Sequence, residues 1–308
     1  MASKILIFNV VFLTSFFLPL LVPNSYSSQI IVSAATDFTD NDLIEFALNL
    51  EYLEAEFFLI GSSGYGLGVV SPDLAQGGPS PIGGTLAQLD PLTKDIIYQF
   101  GLQEVGHLRA IKSKVKGFPR PLLNISKEVF GTIMNNAFGR PLNPPFDPYA
   151  NSINYLLATY VIPYVGLTGY VGATPMLQNI VSKQLVAGLL GVESGQDAVT
   201  RALLYNLKDK IVTPYAVTVA EFTNRISMLR NRLGNAGLKD EGLVVPREQG
   251  ADGKVTGNIL SADNNSLSYA RTPEEILRII YGNGSERNPG GFYPAGAEGR
   301  IAQSYLSP

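Results

Sequence analysis

Glutamates stand where this chain should be most apolar. Between residues 40 and 232 apolar residues recur at three- and four-residue intervals, the period of amphipathic helices rather than strands. In the stretch opening at Asp90–Pro91, Ile97, Phe100, Leu108, Ile111 and Val115 fall within about 40° of Glu104 on a helical wheel. His107, the single histidine, lies about 60° from Glu104 at the edge of that stripe, while Lys94, Asp95, Arg109 and Lys112 point away. In "LEYLEAEFF", Glu51 and Glu54 sit amid Leu43, Ala47, Leu48, Leu50, Ala55, Phe57 and Phe58, whereas Glu45 and Glu56 share the other side and read as a solvated edge. Glu193 occupies a third apolar stripe with Val186, Leu189, Leu204 and Leu207, and Gln196 follows three residues later. A carboxylate in a dry interior must be neutralised, paired or bound to a metal. Inward carboxylates on three helices, one with an i+3 histidine, form the pattern of a carboxylate-bridged metal site in a four-helix bundle.

Start and stop signals divide the chain into helices followed by an irregular tail. The first helix is expected over 40–60, capped by Thr39 and stopped at Gly61, and the second over 90–116, with a Gly- and Pro-rich loop between them. A short helix is expected over 126–136, then an apolar one over 149–172 bent at Pro163. A long helix follows over 182–207, and a fifth opens at Thr213–Pro214 and ends near Arg232. Beyond Gly234 periodicity fades, except where Thr272, Pro273 and Glu275 signal one short capped helix. The expected fold class is all-α: a four-helix bundle over 36–233 with an additional helix, and a loop-rich extension over 234–308 packed on it.

Composition narrows the chemistry. With 23 Lys+Arg against 26 Asp+Glu, a net charge of −3, the chain has no basic stripe for nucleic acid. Zero cysteines exclude disulfides, thiolate zinc sites and cysteine nucleophiles, and a single histidine excludes sites that need two imidazoles. Lys4 precedes an apolar run over 5–22, and small residues at Ser25 and Ser27 suit cleavage after Ser27, so residues 1–27 read as a secretory signal peptide. No later segment is expected to cross a bilayer uninterrupted by Gly, Pro or charge. Sequons at Asn124, Asn264 and Asn283 are the glycosylation candidates of an extracellular protein of the apoplast or cell wall.

The segments "LNLEYLEAEFF", "QEVGHLRAIKS", "NYLLATYVIPYVGLTGYVGA" and "LLGVESGQDAVTRALLY" resemble the plant desiccation-related proteins of resurrection plants, a group within the ferritin-like superfamily. The resemblance implies a dimetal bundle with a Glu on each of two helices and Glu-x-x-His on each of the other two. Carried over, Glu51 matches the first-helix ligand, Glu104 and His107 the first Glu-x-x-His, and Glu193 the second bridging Glu; Phe58 stands where the superfamily often has Tyr. Two ligands are missing. Gln196 stands in place of the second histidine, and the register set by Tyr170 puts Pro163 where the third-helix Glu belongs. The expectation is therefore a degenerate site holding at most one Mn, Fe or Zn ion, or none, with Glu54 a network or entrance carboxylate.

Without metal, Glu104 and His107 would close a core ion pair. The tyrosines at 149, 155, 160, 164 and 170 read as packing residues with bonded hydroxyls, and Gly64, Gly66 and Gly68, which follow a helix, do not read as a phosphate loop. Three functions follow: a secreted protective protein linked to water deficit, a mononuclear metal-dependent redox enzyme or antioxidant, and an extracellular scaffold binding wall polysaccharide or protein. Homo-oligomer formation is compatible with each.

Overall fold

A computed structural model describes residues 38–306, so the expected signal peptide lies outside the described residues. Within them the elements run α1 (Asp40–Ser63), α2 (Leu67–Val70), α3 (Pro72–Ala75), α4 (Pro91–Lys112), α5 (Lys127–Phe138), α6 (Ser152–Thr159), α7 (Pro163–Ala173) and α8 (Ile180–Asn206). A two-residue hairpin, β1 (Ile211–Val212) with β2 (Val217–Thr218), leads into α9 (Val219–Gly234), and the extension carries α10 (Pro273–Ile280) and α11 (Gly299–Leu306). Four helical rods, α1, α4, the pair α6–α7, and α8, form the bundle.

Local signals set most helix starts. Thr39 and Asp42 form a reciprocal capping box that satisfies first-turn N–H groups of α1, Asp90 accepts from the Thr93 N–H at the start of α4, and Thr272 with Glu275 forms a second box on α10. α1 runs past Gly61 to Gly64, whose φ of 84° supplies the left-handed cap. Gly61 serves a different end: a Cβ there would stand 2.0 Å from the Tyr155 hydroxyl, which bonds the Phe57 carbonyl. Pro163 does more than bend the third rod. Having no N–H, it opens α7 as its first residue, so Tyr160–Ile162 separate two helices.

One expectation fails on non-local grounds. Thr213–Pro214 lies in the hairpin turn, not at a helix start, and α9 instead begins after the cap at Thr218, which accepts from the Glu221 N–H. Residues 152–176 are long and apolar enough to cross a membrane by length and composition, with Pro163, Gly166, Gly169 and Gly172 inside the stretch. The segment's apolarity has an internal cause: 78% of its most apolar window is buried in the protein.

The extension is part of the core. Leu277, Tyr281, Phe292, Tyr293, Ile301 and Ala302 are buried, the Tyr293 hydroxyl donates to the Asn49 carbonyl at 2.6 Å, and the Arg271 N–H donates to the Thr168 carbonyl at 2.9 Å. Fully burying side chains of this kind contributes roughly 1.5–3 kcal/mol each before entropy is counted. Removing the extension would strip the outer faces of α1 and α7.

Candidate metal centre

The bundle axis brings the sequence-chosen residues together. α1 presents Glu51 and Glu54 one turn apart, α4 presents Glu104 and His107, and α8 presents Glu193 and Gln196, all with an i, i+3 spacing that aims both side chains of each pair inward. Glu51 and Glu104 are 2% and 0% exposed, and Glu193 is 1% exposed. His107 Nδ1 is 3.0 Å from Glu51 Oε2, 3.1 Å from Glu104 Oε2 and 3.3 Å from Glu193 Oε1. One ligand atom from each of the four residues lies within 4.8 Å of all the others.

That geometry is crowded for protons alone. A single Nδ1–H cannot donate to three carboxylate oxygens, so lone pairs face lone pairs unless a cation or extra protons enter. Burial first, and then neighbouring carboxylates, hold Glu104 and Glu54 well above the usual range, and Glu193 is pushed up to about 7. Burial opposes the His107 imidazolium, but the Glu51 charge and hydrogen bonds to Glu104, Glu193 and Glu51 outweigh it and raise its pKa. Glu54 Oε2, Glu193 Oε2 and Gln196 Oε1 are buried without a hydrogen-bond partner. Oxygen-rich donors with one imidazole, three of them short of partners, fit a borderline or hard transition metal such as Mn, Fe or Zn.

Two further groups orient this set. The Tyr170 hydroxyl of α7 donates to Glu51 Oε1, and Gln196 Nε2 donates to Glu104 Oε1 at 2.6 Å and to Gln103 Oε1 at 3.1 Å. Fixing a ligand through its second oxygen is how partners around a metal tune its ligands. The sequence reading noted Tyr170 without assigning it this contact; it is one of three hydroxyls, with Tyr164 and Thr168, on a helix without charge. Tyr170 sets the face of α7 turned to the centre, and one turn back on that face Gly166 approaches the carboxylates: a Cβ there would stand 3.1 Å from Glu54 Oε1 and 3.9 Å from Glu193 Oε2.

Glu56 departs from the sequence expectation. It is fully buried rather than on a solvated edge, because Arg120, 64 residues away, pairs with its Oε1 while its Oε2 accepts the Leu67 N–H. Arg120 also donates to the Pro79 and Gly78 carbonyls at 2.7 and 2.9 Å, so the pair fastens the 64–84 loop to α1. Gly66 approaches so closely that a Cβ would stand 2.1 Å from Glu56 Oε2, which gives one glycine of that run a packing role. Phe58 is fully buried and meets Phe100 edge-on.

Of the glycosylation candidates, Asn264 and Asn283 are exposed, while Asn124 is half-buried between Leu123 and Ile125, both fully buried. Tyr149, Tyr155 and Tyr160 have bonded hydroxyls, as packing tyrosines do; the Tyr164 hydroxyl has no partner.

Comparison with known proteins agrees with this geometry. Residues 39–206 match the ferritin-like domain. The chain is 57% identical over 270 residues to the ferritin-like catalase Nec2 of Nesocodon mauritianus, covering 88% of this chain and 87% of that protein. It is 55% identical over 288 residues to the desiccation-related protein PCC13-62 of Craterostigma plantagineum, covering 94% and 92% respectively. No solved structure matches it. From this identity along nearly its whole length, and from a match spanning more than half of it, the chain belongs to the plant desiccation-related group of ferritin-like proteins.

Proposed function

We propose that this is a secreted protective protein that removes hydrogen peroxide at a buried carboxylate–histidine metal centre, with Mn or Fe as the ion. The observation that carries the reading is the convergence of Glu51, Glu104 and Glu193 on one imidazole in a dry interior, with too few protons to satisfy them. The relative named a catalase supports peroxide as the substrate, and the desiccation-related relative supports protection as the purpose. This favours the redox reading over a metal-free scaffold. Secretion is inferred from the 5–22 apolar run and its small-residue cleavage pattern.

Disproportionation turns two peroxides into two waters and one dioxygen. One peroxide gives up two electrons and two protons; the other takes them and its O–O bond breaks. A bound redox metal would supply the store of electrons between these halves, which is why zinc does not suit this reading. The chain's own residues do the rest. Glu51, Glu104, His107 and Glu193 would hold the ion, and Tyr170 and Gln196 keep Glu51 and Glu104 turned toward it. The four ligand side chains are 0–9% exposed, with His107 the most open. A substrate as small as peroxide suits such a buried centre.

Oxygen evolution from peroxide, measured alongside the metal content of protein purified through a secretory pathway, tests this. Stoichiometric Mn or Fe with oxygen release, both lost in His107→Ala, is expected. Folded protein that holds no metal and leaves peroxide intact would return the site to a structural ion-pair network.

A further inference from the structure

Two clefts adjoin the segment that leads into α4. The first, of about 460 Å³, lies between Ser63 at the end of α1 and Lys94, Asp95 and Tyr98 on the first turns of α4, with Tyr65 also lining it. The second, of about 370 Å³, runs from Gln88 past Asn151, Ser152 and Asn154 at the start of α6 to Lys210 and Thr213 by the hairpin. Gln88 lines one and Pro91 the other, and between them the Asp90 N–H donates to Ser152 Oγ at 2.8 Å. Both volumes are of the size that small-ligand sites occupy. Their chemistry is hydroxyl, amide and aromatic. Tyr65 and Tyr98 are 60% and 40% exposed, and among the described residues neither hydroxyl has a partner. Ser63 commits its hydroxyl proton to the Leu59 carbonyl at 2.7 Å, so toward the cleft it accepts. Asp95 takes the Gln99 amide on Oδ2 at 2.9 Å and keeps Oδ1 open. In the second cleft Asn154 is 4% exposed, donates Nδ2 to the Asp147 carbonyl at 2.9 Å and leaves Oδ1 without a partner. A buried amide oxygen in that state calls for a donor from outside the chain.

We propose that the two clefts form one groove for an oligosaccharide chain, with pyranose C–H faces lying on Tyr65 and Tyr98 and sugar hydroxyls meeting Ser63, Asp95, Gln88 and Asn154. A tyrosine ring left in water at a cleft is a flat apolar platform with a polar tip, which is what a pyranose face and its hydroxyls match. Each sugar hydroxyl both donates and accepts, and the groove offers both kinds of group. A phosphorylated ligand would meet the Asp95 carboxylate instead. Two shallow clefts flanking one segment suit a linear chain better than a compact cofactor. Ser63 lies about 18 Å along α1 from Glu51 at 1.5 Å per residue, so the groove is independent of the metal centre.

Cellohexaose and hexagalacturonate, a neutral and an acidic chain of the same ring chemistry, are titrated into the mature protein by isothermal calorimetry. At least one should bind, weakened about 10-fold by Tyr65→Ala or Tyr98→Ala and about 5-fold by Gln88→Ala. All three side chains are exposed, so the melting temperature should stay where it is. A preference for hexagalacturonate that vanishes when Lys94→Gln and Lys210→Gln are combined assigns the groove to acidic chains; equal binding of both assigns it to neutral ones. His107→Ala should bind the sugar as wild type does, which separates this result from the metal reading. Neither hexamer binding, or binding unmoved by both tyrosine variants, overturns the groove. Loss in the tyrosine variants with Gln88→Ala silent overturns its second cleft.

Discussion

Helix α8 carries two buried charge clusters on one face, and they are built on opposite principles. Glu193 belongs to the acidic centre; two turns on, Arg201 belongs to a cationic one where the extension meets the bundle. Arg201, fully buried, donates to the Tyr160 hydroxyl at 2.9 Å, to the carbonyls of Glu241, Gly242 and Asn258 at 2.8–3.3 Å, and to the Ile259 carbonyl. Arg230 donates to the Tyr160 and Val161 carbonyls and pairs with Asp240 at 2.5 Å; Arg271 donates to Thr168 Oγ1 at 3.0 Å. The chain wraps its arginines in its own oxygens. Around Glu193 three carboxylates converge instead on the single imidazole of His107. Buried charge that the chain satisfies by itself is architecture, and buried charge that waits for a counter-ion from outside is a site.

The sharpest break in that contrast would come from Arg201→Ala. Leaving so many buried oxygens without a donor should cost about 4 kcal/mol, read as a lower melting temperature and faster proteolysis of the 240–262 segment, with metal content unchanged. Loss of metal together with stability would mean the clusters are one unit.

Asp197, one turn from each cluster, tests the boundary by pH. Burial, the largest influence, and Asp240 raise its pKa from 3.8 to about 6 against the pull of Arg201 and Arg230. The folded state therefore holds this proton more tightly than the unfolded one, so stability falls as pH rises from about 4 to 6, by roughly 3 kcal/mol at most. Asp197→Asn should flatten that window in thermal melts of the metal-free protein. An unchanged pH profile would remove Asp197 from the account.

Smaller, and opposite in sign, is Glu104→Gln, since burial and the neighbouring Glu193 and Glu51 oppose its charge in the fold. Taking one charge out of the acidic centre should stabilise the metal-free fold by about 1 kcal/mol in denaturant titration while weakening Mn(II) binding 10- to 100-fold. A residue that only held the fold together would lower stability when changed. The smallest effect is a control outside both clusters: Thr39→Ala removes the α1 cap and should cost about 1 kcal/mol without touching metal content.

What could be read from the chain tracks how local each interaction is. Thr39, Asp90 and Thr272 were legible as caps because cap and capped N–H lie within three residues. Glu51, Glu104, His107 and Glu193 were legible because a polar residue inside an apolar stripe contradicts its own helix. Glu56 was misread on the same helix, since its partner Arg120 comes from a distant loop. Gly166 gave no signal, because a side chain that is absent leaves no periodicity to detect, and α11 was missed because no Ser or Thr cap stands before Gly299 as Thr272 does before the equally short α10.

The order of residues alone determined that helices form, which face each turns inward, and that acids would be trapped on those faces with the lone imidazole. Helical periodicity follows from backbone geometry and needs no neighbour. Only the tertiary structure decided which trapped charges the chain satisfies and which it leaves converging. Pairing of a buried charge depends on groups brought from distant segments, and those distances exist only once the helices have packed.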